Sequence, residues 1–144
     1  MMFMGEYSHT VDTKGRLIIP TKFREQLGNE FVVTKGMDGC LLAFPEQEWL
    51  RITDVLSTFP ITQEEAIEFM HVFVAGAMSC ELDKQGRILL PATLRKFANL
   101  DKDVVMAGMI NRFEIWDKSA WDDISARANA RESVKKMAAL GLKI

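Results

Sequence analysis

Two pairs of a carboxylate and a guanidinium stand out in this chain: Asp12 with Arg16 in Asp12-Thr13-Lys14-Gly15-Arg16, and Asp83 with Arg87 in Asp83-Lys84-Gln85-Gly86-Arg87. An aspartate at the head of such a stretch bonds nearby backbone N–H groups and opens a tight turn, and the glycine closes it with a positive φ. The arginine then leaves on the outgoing shoulder. Its planar fork bonds a phosphate or a guanine edge through two parallel hydrogen bonds, which lysine does less well. The aspartate can hold that fork in one orientation. Each copy runs on into an aliphatic triplet, a proline and a second arginine: Leu17-Ile18-Ile19-Pro20 with Arg24, and Ile88-Leu89-Leu90-Pro91 with Arg95. A turn with a solvated arginine explains one copy well enough. Two copies, with arginine at four equivalent places that neither turn geometry nor burial demands, favour a binding role.

The elements that position these residues are themselves repeated. A shift of 71 residues superimposes Gly5 on Gly76, Ser8 on Ser79, Pro20 on Pro91 and Arg24 on Arg95; after a one-residue slip at Gly28 and Asn99, Trp49 meets Trp121. Residues 5–49 and 76–121 therefore read as two copies of one module, with a helical connector over 50–75 and a C-terminal helix or tail over 122–144. Tyr7 to Val11 and Arg16 to Ile19 read as strands around the turn. Pro20 suits the first position of a short helix carrying Phe23 and Leu27 on one face, ended by Gly28; Pro91, Leu94, Ala98 and Asn99 repeat the scheme. Phe31-Val32-Val33-Thr34 with Cys40 to Phe44, and Val104 to Ala107 with Phe113 to Trp116, are strand pairs around Gly-containing turns. Helices are expected over Glu46 to Thr58, from Thr62-Gln63-Glu64-Glu65 onward, and over Trp121 to Leu140, with Trp49 and Trp121 as core or interface anchors. A module of about 45 residues is too small to bury an adequate core alone, so the two copies are expected to share one.

Composition narrows the function. The 144 residues are 48% hydrophobic and 26% charged, as in a folded globular protein. No apolar run approaches the roughly 18 residues of a membrane span. Met1-Met2-Phe3-Met4-Gly5-Glu6 lacks the basic and long apolar segments of a signal peptide, which makes cytoplasmic residence the expectation. Cys40 and Cys80 are not equivalent in the two copies and are expected to be buried free thiols. Net charge is −2, but its distribution is uneven. Residues 12–36 balance to +2, residues 83–108 again to +2, and residues 37–82 to −7. Positive charge is thus concentrated around the repeated turns.

Enzyme readings fare poorly. The chain has no G-x-S-x-G, P-loop, H-E-x-x-H or G-x-G-x-x-G sequence, and no cofactor or metal is expected. His9 and His71 are available as bases for a Cys/His pair, but they fall at non-equivalent places. Glu64, Glu65 and Glu68 read as a solvated helix face.

The doubled D-x-x-G-R turn, the opening Met-Phe-Met-Gly-Glu-Tyr and the run Lys-Gly-Arg-Leu-Ile-Ile-Pro-Thr-Lys-Phe-Arg closely resemble the MraZ family over nearly the whole chain. That resemblance implies an α+β, mainly β fold: two AbrB-like (SpoVT-AbrB) modules forming a swapped-hairpin, double-split β-barrel with added helices. It implies a transcriptional regulator, not an enzyme, associated with the nucleoid. Its partners would be double-stranded DNA, at short direct repeats upstream of the division and cell-wall operon containing its own gene, and further copies of itself in a ring of about eight subunits. The family's signature falls on Asp12 and Arg16 and on Asp83 and Arg87; Arg16 and Arg87 are expected to enter a groove or grip phosphates, with Lys14, Lys84, Arg24 and Arg95 adding contacts to the DNA backbone. Gln85 stands where the first copy has Lys14. Two alternatives remain beside this reading: a ring-forming protein scaffold with solvated arginines, and an antitoxin, for which a single module with a disordered toxin-binding tail is expected.

Overall fold

The computed structural model describes residues 2–144. The chain is α+β and mainly β. In the first half, β1 (Glu6–Thr10) and β2 (Arg16–Ile18) flank the first Asp-Gly-Arg turn, followed by α1 (Thr21–Leu27), β3 (Glu30–Lys35) and β4 (Leu41–Pro45). The second half repeats that order with β5 (Met78–Glu81), β6 (Arg87–Leu89), α4 (Ala92–Phe97), β7 (Asp103–Gly108) and β8 (Phe113–Asp117). Between them lie α2 (Glu46–Leu56) and α3 (Glu64–Phe73); α5 (Lys118–Arg127) and α6 (Ala130–Ala139) end the chain.

The halves exchange strands. A six-stranded antiparallel sheet runs β1-β7-β8-β4-β3-β5, so each half's first strand pairs with the other half's third. Tyr7 faces Met106 and His9 faces Val104 on one edge, while Cys80 faces Phe31 and Ser79 faces Val32 on the other. At the centre, Leu41 of β4 pairs with Ile115 of β8. β2 and β6 leave this sheet and pair with each other, antiparallel, with Leu17 opposite Ile88.

A single core explains the exchange. Leu17, Ile19, Phe23, Phe31, Val33 and Leu41 from the first half and Ile88, Leu90, Leu94, Val104, Met106, Phe113 and Ile115 from the second form one buried cluster. Phe23 stacks on Phe113 with ring centroids 4.7 Å apart and meets Phe3 and Tyr7 edge-on at 5.4 and 5.1 Å. A second aromatic group, Phe44, Trp49, Phe69 and Phe73, seats the connector on the sheet: Trp49 and Phe69 each stack on Phe73. The buried Thr34 hydroxyl donates to the Phe73 carbonyl and satisfies it at the end of α3.

The helices depart from sequence expectation in three places. Pro20 and Pro91 occupy the N-cap, not the first helical position, with extended ψ of 139° and 149°. Each still supplies the carbonyl that accepts from the first helical turn, so its missing N–H costs nothing there. Helix α3 starts at Glu64, and no side chain caps it, Thr62 included. The expected helix from Trp121 to Leu140 begins earlier, at Lys118, capped by Asp117, and is split: Ala128 is extended and the Asn129 side chain accepts from the Glu132 N–H, starting α6 afresh. Asparagine competes well for that capping role, so the break is local chemistry. Trp49 and Trp121 are half-buried; Trp121 packs on Trp116 with centroids 6.1 Å apart.

Phe23→Ala removes the ring that joins the halves. It is expected to cost about 3–5 kcal/mol, and urea denaturation followed by Trp fluorescence and by far-UV circular dichroism should show one coincident transition at lower urea, not separate melting of two halves.

Candidate nucleic-acid interface

Both turns are built alike. Asp12 Oδ1 accepts from the backbone N–H groups of Lys14 (2.9 Å) and Arg16 (2.8 Å), and Oδ2 accepts from Arg16 Nε at 2.7 Å. Asp83 accepts from the N–H groups of Gln85 and Arg87, each at 2.9 Å, and from Arg87 Nε at 2.8 Å. Gly15 and Gly86 sit at φ +84° and +76°, the left-handed conformation that closes each turn. The Arg16 N–H above all, then its side chain and the Lys14 N–H, hold the Asp12 carboxyl below its usual range; Arg87 and Gln85 do the same for Asp83.

This geometry fixes what each arginine can offer. Its Nε is committed to the aspartate, and among the described residues the terminal nitrogens of Arg16 and Arg87 have no partner. Their end-on pair of donors is aimed and free, the arrangement that matches guanine O6 and N7 or two phosphate oxygens.

The two turns belong to one surface. Register places Arg16 opposite Leu89 and Ile18 opposite Arg87, with the buried Leu17 and Ile88 on the other face of the ribbon. Arg16 and Arg87 are therefore diagonal neighbours, at about 7–8 Å between their backbones. The ribbon is closed at both ends by reciprocal bonds: the Leu90 N–H donates to Gly15 O and the Ile19 N–H to Gly86 O, each at 2.9 Å. Lys14 and Lys84 are exposed at the tips, and Lys22 and Lys96 on the adjoining helices.

Arg24 and Arg95 play a part that spacing does not reveal. Each lies against the glycine of the opposite half's turn: a Cβ on Gly86 would fall 1.8 Å from Arg24 Nη1, and one on Gly15 would fall 3.0 Å from the Arg95 guanidinium. Arg95 Nε donates to Leu90 O and Arg24 Nη2 to the Thr21 hydroxyl. These arginines brace the turns from behind. Ile18 and Leu89, exposed on the face of Arg16 and Arg87, are missed when the triplets are read simply as core-forming. A signal was present, because a period of two cannot bury three consecutive residues on one side.

The thiols have no catalytic setting. Burial pushes Cys40 up to about 12 and Cys80 up to about 11, so both are protonated at neutral pH. Cys80 and His9 lie on opposite edges of the sheet. Among the described residues, no three His, Cys, Asp or Glu side chains converge as metal ligands, and no helix is long and apolar enough to cross a membrane.

The fold is a strand-exchanged pair of repeats with aspartate-anchored arginines on a two-stranded ribbon, and its relatives place it in the class of non-enzymatic, DNA-binding regulators. The family model for MraZ protein, described as antitoxin-like, matches residues 2–70 and again residues 73–143. The chain belongs to the MraZ family of transcriptional regulators. It is 55% identical over 127 residues to the transcriptional regulator MraZ of Desulfitobacterium hafniense strain Y51, covering 88% of this chain and 89% of that one. The same-named protein of Desulforamulus reducens is 51% identical over 90% of this chain and 91% of its own. That of Carboxydothermus hydrogenoformans is 51% identical over 94% and 96%.

Two outcomes follow from the turn chemistry. Because the Asp12 and Asp83 pKa values are lowered in the fold, the carboxylate grip is complete above the ordinary value of 3.8 and is lost as pH falls below it. In an NMR titration the Arg16 and Arg87 Nε resonances should hold steady from neutral pH to about pH 4 and shift only below that. Separately, Gly86→Ala is expected to lower stability by about 1–2 kcal/mol for its left-handed backbone. It should also displace the Arg24 guanidinium, visible as a changed Arg24 Nε resonance.

Proposed function

We propose that the chain is a sequence-specific regulator that binds double-stranded DNA at short direct repeats upstream of the operon for division and cell-wall synthesis that contains its own gene. The observation that carries this reading is the two-stranded ribbon whose face presents Arg16 and Arg87 with their terminal nitrogens free. An arginine already neutralised by an aspartate adds little net charge for phosphate attraction, so its value lies in directed hydrogen bonds to base edges. In this reading Arg16 and Arg87 enter the major groove, and Asp12 and Asp83 set their aim. Lys14 and Lys84 at the tips contact phosphates, and Arg24 and Arg95 reach the backbone from behind the turns they brace.

Residues 5–49 and 76–121 are then the two AbrB-like modules, 50–75 the helical connector and 122–144 the C-terminal helix and tail. The exchange of β1 and β5 between halves supports a swapped-hairpin, double-split β-barrel. One ribbon binds weakly. A ring of about eight subunits gains avidity when DNA repeat spacing matches subunit spacing. The exposed Leu50 and Val55 on α2 and Ile124 on α5 suit the ring contacts. Such a protein resides in the cytoplasm, associated with the nucleoid.

Fluorescence anisotropy of the full chain on the DNA upstream of its own gene, against scrambled DNA over a salt series, tests the reading. The wild type should prefer the upstream DNA and weaken as salt rises. Arg16→Ala and Arg87→Ala should each lose about 1–3 kcal/mol of that preference, whereas Lys14→Ala should weaken binding to both DNAs alike and reduce the salt slope by about one. Equal wild-type binding to both DNAs, or none to either, would favour the protein-scaffold reading instead.

A further inference from the structure

The ribbon's outer face is not wholly polar. Beside Arg16 and Arg87 it carries Ile18 and Leu89, which are 44% and 62% exposed. A ribbon with one face in the core ordinarily turns polar residues outward, and single exposed aliphatics are common enough to mean nothing. Here the exposed aliphatic recurs in both halves. Register sets each one directly across from an arginine, Ile18 opposite Arg87 and Leu89 opposite Arg16. The two ends of the ribbon thus present the same pair of groups, a guanidinium and a branched aliphatic chain, related by the pseudo-twofold axis.

Residues opposite each other in an antiparallel pair lie about 4.5–5.5 Å apart, and successive base pairs are separated by about 3.4 Å. A guanidinium and an aliphatic chain so spaced address the same base pair or adjacent ones. In the major groove the only apolar group a base presents is the 5-methyl of thymine. We infer that Ile18 and Leu89 are specificity-determining residues that pack against thymine methyl groups next to the bases bonded by Arg87 and Arg16. This rests on the DNA-binding reading above and adds to it a second chemical criterion for the site. Hydrogen bonding selects guanine, and apolar contact selects thymine over cytosine nearby. The minor groove offers no methyl, so the inference also gives the proposed major-groove entry a test of its own.

The test uses the full chain and two synthetic duplexes of its own upstream DNA, one normal and one with deoxyuridine replacing every thymidine, which removes only methyl groups. Burial of one methyl is worth about 0.8 kcal/mol, or about fourfold in affinity, so two should give roughly tenfold or more. Wild type is expected to bind the deoxyuridine duplex about tenfold more weakly. The Ile18→Ala, Leu89→Ala double variant, altered only at exposed positions and checked for an unchanged circular dichroism spectrum, should bind normal DNA more weakly and no longer distinguish the duplexes. Equal wild-type affinity for both duplexes, with Arg16→Ala still reducing the preference for upstream over scrambled DNA, would overturn the methyl contact and leave the DNA-binding reading intact. A double variant that remains as sensitive to the missing methyls as wild type would also overturn it. Failure of wild type to bind either duplex would remove both readings together.

Discussion

Leu17 and Ile88 face each other across a ribbon of only three residues per strand, and both are inaccessible to solvent. That contact is the constraint from which the rest follows. A two-stranded ribbon is at best marginal in water by itself, so it persists only because its inner face closes the core that both halves build. The exchange of β1 and β5 serves the same end. Each half hands its first strand to the other's sheet, and the turns that follow those strands are brought side by side. Fixing the ribbon therefore fixes the pairing of Arg16 with Leu89 and of Ile18 with Arg87, and with it the character of the exposed face.

Rigidity in this region comes from polar detail as much as from burial. Each aspartate satisfies two backbone donors and one side-chain donor, leaving its arginine few rotamers to explore. Arg24 and Arg95 then lie against the turn glycines of the opposite halves, where an added side chain would have to displace the guanidinium. An arginine held before it meets its ligand loses less conformational entropy on binding than a solvated one. The two turns are also coupled, since disturbance of one turn meets the helix of the other half directly.

Much of this was legible in the sequence because it is local chemistry. The Asp-to-backbone bonds, the positive φ at Gly15 and Gly86, and the left-handed Asn99 standing in for Gly28 depend on residues a few positions apart. The repeat likewise predicted a shared core. Other features were not legible, each for a physical reason. Whether β1 pairs with β3 of its own half or with β7 of the other is decided by packing across the whole chain, and no periodicity records it. The crossing of Arg24 to Gly86 depends on that same exchange. The split between α5 and α6 turned on a choice by Asn129 between continuing one helix and capping the next, which an amphipathic pattern does not encode. Ile18 and Leu89 were hidden because an aliphatic triplet looks uniformly apolar until strand register divides it.

The halves are similar but not identical. Lys14 in one turn is matched by Gln85 in the other, and Ile18 by Leu89. Two separate identical chains forming such a ribbon would be truly symmetric and would meet a DNA site equally well in either orientation. Covalent joining of two diverged copies gives the ribbon a head and a tail. On the proposed DNA-binding reading it can therefore distinguish a site from its reverse complement, and a row of such ribbons acquires a sense along the duplex that symmetric dimers lack.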